Sequence, residues 1–87
     1  MEIHRSAQRH GLSDHDIRHA EEFALVVIDV EPDADPPKVL LIGPDLSGNL
    51  IEVIVLELLG DRQLAIHAMG LRAKYFELLP GRESDNA

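Results

Sequence analysis

Apolar residues in this chain recur at every second position or in short β-branched runs, and one segment carries them three and four apart; the two periodicities divide it into strands and helices. After a short edge strand over residues 2–4, residues 5–10 read as one or two helical turns closed by Gly11, where a C-cap glycine sits. Ser13 is a good N-cap, and Asp14 and Asp16 suit the positive end of a helix dipole. With Ile17, Ala20, Glu21 and Ala24 tracing one stripe, they predict a helix over residues 14–23.

Residues 24–30 (ALVVIDV) read as a strand, and residues 31–37 (EPDADPP) as a loop, since prolines cannot continue a ladder. Residues 38–42 resume a strand, GPDLSGN has hairpin-turn chemistry, and residues 50–59 form a long apolar strand with Glu52 and Glu57 pointing outward. After a turn at Gly60-Asp61, residues 62–69 are the last strand. Strict alternation places Leu64, Ile66 and Ala68 on one face and Gln63, Ala65 and His67 on the other, so His67 lies opposite the core. Gly70 breaks the strand, and residues 71–79 predict a closing helix that packs Leu71, Tyr75, Leu78 and Leu79 while Arg72, Lys74 and Glu77 face water. The expected architecture is α+β: an antiparallel four-stranded sheet with N-terminal helices and a C-terminal helix, in one domain over residues 1–80, followed by a polar tail over residues 81–87.

Composition narrows this picture. A chain of 87 residues, 45% of them apolar and only 3% aromatic, builds a small aliphatic core that a partner or a second copy would reinforce. The absence of cysteine excludes disulfides, thiolate nucleophiles and thiolate metal sites. No run of apolar residues is long enough for a transmembrane helix, and the polar start lacks the pattern of a secretory signal, so a cytoplasmic protein with no membrane association is expected. The net charge of −8 argues against a simple sequence-independent nucleic-acid binder. The distribution of charge weakens that argument: residues 21–61 hold ten carboxylates against the single Lys38, whereas Arg5, Arg9 and Arg18 lie near one end and Arg62, Arg72 and Lys74 near the other. If the two ends meet, they form one neutral-to-basic face on an acidic body.

The candidate chemistry gathers around the last strand and the segment after it. His67 supplies an imidazole, the side chain best suited to moving a proton, Arg72 and Lys74 are fixed cations, and Tyr75 adds a phenol; together they suit holding a phosphate and transferring a proton beside it. Each also has a plain structural reading: a surface histidine, a solvated cationic face, and a core tyrosine sharing a helical face with Leu71 and Leu78. His15 and His19, four apart, share a helical face, but HDIRH has Asp16 where a zinc-protease helix carries glutamate and no third ligand is evident, so no metal site is expected.

The order of elements, the step Arg9-His10-Gly11 before SDHDIRHA, and the run Ile66-His67-Ala68-Met69 before LRAKYFELL resemble the BrnT family of bacterial toxins, relatives of the RelE ribonucleases. The family places an arginine where this chain has Met69, a departure that shifts that arginine's work to Arg72 or Lys74. The resemblance implies the toxin of a two-component toxin–antitoxin pair that cleaves RNA without a metal or other cofactor. It gives His67 the part of base or acid, Arg72 and Lys74 that of charge stabilisation, and Tyr75 that of proton donor or stacking surface, with Arg5, Arg9 and His10 as RNA contacts. The implied partners are a cognate antitoxin, RNA or the ribosome, and a homo-oligomer or hetero-complex. The competing class is a non-catalytic protein-interaction module on the same fold.

Overall fold

The computed structural model describes residues 1–81 and has an α+β architecture. A strand β1 (Glu2–Ile3) leads into a 3₁₀ helix (Arg5–Gln8) and an α-helix α1 (Asp14–Glu22); β2 (Val26–Glu31), β3 (Lys38–Pro44), β4 (Leu50–Glu57) and β5 (Gln63–Gly70) follow, and a 3₁₀ helix (Ala73–Leu78) closes the described chain. The expected polar tail, apart from Gly81, lies outside the described residues. No helix among the described residues is long and apolar enough to cross a membrane.

Two features correct the expected architecture. The sheet has five strands in the order β1-β5-β4-β3-β2, and it is mixed, because β1 joins β5 in parallel while every other pair is antiparallel. The flanking helices are also reduced: the first is one 3₁₀ turn, and the predicted helix over residues 71–79 is a 3₁₀ segment that starts only at Ala73. Residue 72 stays extended, at φ −87° and ψ 150°, because its backbone and side chain are held by the sheet.

Helix α1 forms for the reasons its sequence supplies. The Ser13 hydroxyl accepts from the Asp16 backbone N–H at 3.1 Å, and the Asp16 carboxylate reaches back to the Ser13 N–H, closing a capping box. Asp16 also accepts from the Leu46 N–H, tying the start of α1 to the β3–β4 turn and drawing its carboxyl below the usual range. That turn is shaped by Asp45, whose Oδ1 accepts from the N–H groups of Ser47 and Asn49 at 2.9 Å, with Gly48 supplying a φ of 87°.

α1 lies on one face of the sheet. Ile17 and Ala20 pack with Ala7, Val39, Leu41, Ile51, Val53, Val55, Ala65 and Ala68 into a dry aliphatic cluster. The approach is close, since a Cβ on Gly43 would sit 2.2 Å from the Ala20 carbonyl oxygen, so only glycine fits there. On the other face Val26, Leu40 and Ile42 form a smaller cluster, against which Ile54, Leu71, Tyr75 and Leu79 pack.

The alternation expected for the last strand fails at one point. Ile54 pairs with His67 but Val55 pairs with Ala65, leaving Ile66 as the extra residue of a β-bulge. The bulge resets the phase, so Ala65 joins Ala68 in the α1-side core rather than sharing a face with His67. His67 lies on the opposite face from that core, as the alternation predicts.

Candidate functional site

The bulge and the central strand build the site together. Glu52 on β4 pairs laterally with Met69 and with Ile42, and His67 pairs with Ile54, so Glu52 and His67 are diagonal neighbours on the face away from α1. Glu52, expected to point to solvent, is wholly buried. β4 is flanked by strands on both sides, and Leu71, Tyr75 and Leu79 pack over this face of the sheet, which closes Glu52 off from water.

A buried carboxylate is tolerated only with partners that replace its hydration, and Glu52 has them all from one segment of chain. Its Oε2 lies 3.0 Å from His67 Nε2 and 2.6 Å from Arg72 Nη2; Arg72 Nε donates to both oxygens at 3.1 Å, and the Arg72 backbone N–H donates to Oε1 at 3.0 Å. Burial pushes the Glu52 carboxyl up, but the Arg72 guanidinium, the His67 hydrogen bond and the Arg72 N–H outweigh it and hold it below the usual carboxylate range. The same pairing raises Arg72. No buried side-chain nitrogen or oxygen among the described residues is left without a hydrogen-bond partner.

The location of Arg72 explains why the last helix starts late. The Leu71 N–H donates to the Leu50 carbonyl at 3.0 Å, prolonging the β4–β5 ladder past Gly70 and delivering the next N–H, that of Arg72, to Glu52. Arg72, expected to face water, is anchored inward at Nε and Nη2, while Nη1 has no hydrogen bond among the described residues and the side chain is 43% exposed.

The tautomer of His67 follows from its partner. An ionised carboxylate only accepts hydrogen bonds, so the imidazole donates from Nε2 and, in its neutral form, carries its lone pair on Nδ1. The side chain is 28% exposed, open enough to meet a ligand. Beside it the ring of His10 stands edge-on, with centroids 5.8 Å apart and planes at 78°. The bulge makes this possible: the Ile66 carbonyl accepts from the Ser6 hydroxyl at 2.6 Å, clamping the first 3₁₀ helix onto β5 and bringing the residues after it alongside His67.

Tyr75 packs in the smaller cluster beneath the site and lies under two cations, with Lys74 Nζ 4.9 Å and the Arg72 guanidinium carbon 5.7 Å from its ring centroid. Arg5 and Arg9 belong to the first 3₁₀ helix and its C-cap, both exposed. Among the described residues Arg5, Arg9 and Lys74 have no ion-pair partner, whereas Arg62, counted with the basic end, is bound bidentately by Glu2 at 2.8 and 2.9 Å. His19, one of the histidines weighed for metal binding, lies 2.9 Å from the Pro44 carbonyl through Nδ1, and no group of three or more metal-binding side chains occurs among the described residues.

Sequence reasoning missed Glu52. The one signal available was its place in the run LIEVIVLEL: an acid flanked on both sides by apolar strand residues faces either water or a fixed partner, and the downstream His67 and Arg72 are such partners. No protein-family model, curated protein or solved structure matches the chain.

Proposed function

We propose that this chain is the toxin of a two-component toxin–antitoxin pair and acts as a metal-independent endoribonuclease. The observation that carries the reading is the constellation of His67 fixed by the buried Glu52 carboxylate that it shares with Arg72. A base oriented by a carboxylate through its other ring nitrogen is the arrangement by which imidazoles are held in one tautomer for proton transfer.

In the proposed reaction Nδ1 of His67 accepts the proton of a ribose 2′-hydroxyl as its oxygen forms a bond to the adjacent phosphorus. The bond from phosphorus to the 5′-oxygen of the next nucleotide breaks, and the imidazolium of His10 returns a proton to that leaving oxygen. The products are a 2′,3′-cyclic phosphate and a 5′-hydroxyl end. Two imidazoles this close serve one phosphate from two sides. Glu52 neutralises much of Arg72, so the developing negative charge falls to the outward Nη1 of Arg72 and to Lys74, while Arg5 and Arg9 hold the flanking backbone. Tyr75 acts as the platform for the two cations rather than as the proton donor.

The cognate antitoxin neutralises the protein by occluding His67 and Lys74. The test is induced expression of the wild type beside His67→Ala and Arg72→Ala, with growth and cellular RNA ends followed together. Growth arrest with new 5′-hydroxyl ends, both abolished by His67→Ala, supports the reading. Unaffected growth and intact RNA from folded protein would replace it with a non-catalytic protein-interaction module.

A further inference from the structure

Helix α1 spans nine residues and covers only one end of its face of the sheet, the end where Ala20 meets Gly43. Toward the other end the face opens into a cleft of about 290 Å³ with Val39, Leu41 and Val55 on its floor and Val27 in its wall. Its rim is anionic: Glu21 comes from the end of α1, Asp29 from β2 and Glu57 from the end of β4, and no lysine or arginine lines it.

β2, which forms one wall, is the terminal strand of the sheet, with no strand on its outer side among the described residues. Apolar side chains stand exposed on it: Val27 is 61% exposed, and Leu25, immediately before the strand, 53%. Open edges are ordinarily blunted by lysine, proline or a covering loop, because they template strand addition. From Leu25 to Ile28 this edge has neither lysine nor proline, and the charges that follow, Asp29 and Glu31, are both negative.

We propose that the β2 edge and the adjoining cleft dock an extended cationic segment of a partner protein as an added strand. Backbone pairing with β2 supplies binding independent of sequence. Val27 and Asp29 share one face of β2, so residues two apart on the incoming strand set an apolar side chain beside Val27 and lysine or arginine beside Asp29, within reach of Glu21 and Glu57. Charge complementarity selects this occupant. A second copy is disfavoured, since it would lay the acidic strand of one chain of net charge −8 against that of another. The surface faces away from His67, so the inference goes beyond the ribonuclease reading and stands or falls separately.

The test is a titration of the isotope-labelled full chain with a synthetic peptide of repeating Thr-Val-Thr-Lys, which carries valine and lysine two residues apart on one strand face, and with its counterpart carrying glutamate for lysine, followed by amide chemical shifts and hydrogen exchange. The lysine peptide is expected to shift amides of β2 and those of Glu21 and Glu57, to slow exchange along β2, and to weaken with added salt. Val27→Lys, at an exposed position that leaves the core intact, is expected to weaken binding about tenfold or more, and Asp29→Asn several-fold. The inference is overturned by equal binding of both peptides, by binding that Val27→Lys leaves unchanged, or by no binding at millimolar peptide. It is equally overturned if the chain alone dimerises with its β2 amides protected.

Discussion

The two faces of the sheet are built on opposite principles. Beneath α1 the side chains are small aliphatics packed without a single charge, and the contact is so close that Gly43 has no room for a Cβ. On the other face the wholly buried Glu52 sits among Leu40, Ile42 and Ile54, and everything around it exists to satisfy that charge. Hydrophobic burial drives folding on the first face. On the second, a group that costs free energy to bury is kept, with His67 and Arg72 held in fixed positions as the result.

Substitutions on the two faces should therefore separate function from stability. The largest effect expected is on cleavage: His67→Ala should lower the rate by roughly 10²–10⁴, as assayed on a labelled oligoribonucleotide, while the protein stays folded and loses only about 1–2 kcal/mol through the missing hydrogen bond to Glu52. Gly43→Ala should do the reverse, destabilising the fold by about 3 kcal/mol in urea because the added methyl meets a backbone carbonyl that cannot rotate away. Its folded fraction should cleave at the wild-type rate.

Glu52→Gln tests the link between the faces, since it keeps the shape but removes the charge. A loss on the order of 2 kcal/mol at neutral pH is expected, from charged hydrogen bonds replaced by neutral ones. The acid dependence fixes the sign. Glu52 is held below its ordinary value of 4.5, so the unfolded chain binds the proton more tightly, and stability present above that value is lost as pH falls through the lower folded value. Urea unfolding between pH 6 and 2 should show a shallower acid loss for Glu52→Gln than for the wild type, with Glu2 and Asp16, also lowered, supplying the remainder.

Smaller still, Ser13→Ala should cost about 1 kcal/mol through the lost cap of α1, read by the same unfolding assay and with no change in cleavage. Tyr75→Phe should change neither stability nor rate by more than about twofold, because the ring beneath the cations remains. A large loss of rate in that variant would instead return the phenol to the role of acid.

Much of the α1 face was legible in the amino-acid order, because Ser13, Asp16, Ile17 and Ala20 act through local capping and periodicity, and the turn GPDLSGN through side-chain bonds within itself. The other face was not, since its organisation depends on long-range pairing. Nothing near Ile66 announces a bulge, which arises from the registers of β4 and β5 and is stabilised by Ser6, far away in sequence. The same pairing carried Arg72 from the water-facing side of an expected helix to a buried carboxylate, and β1 from an isolated edge into parallel pairing with the last antiparallel strand. His67 and Arg72 could be singled out from their place in the sequence, whereas Glu52, which holds both, required the fold.

The most direct test of the central claim is incubation of purified protein with a defined oligoribonucleotide in the presence of a chelator, with wild type and His67→Ala in parallel and product ends determined by mass spectrometry. The account predicts 2′,3′-cyclic phosphate and 5′-hydroxyl ends from the wild type and none from the variant. Intact RNA from folded wild type, or the same cleavage by both proteins, would contradict it.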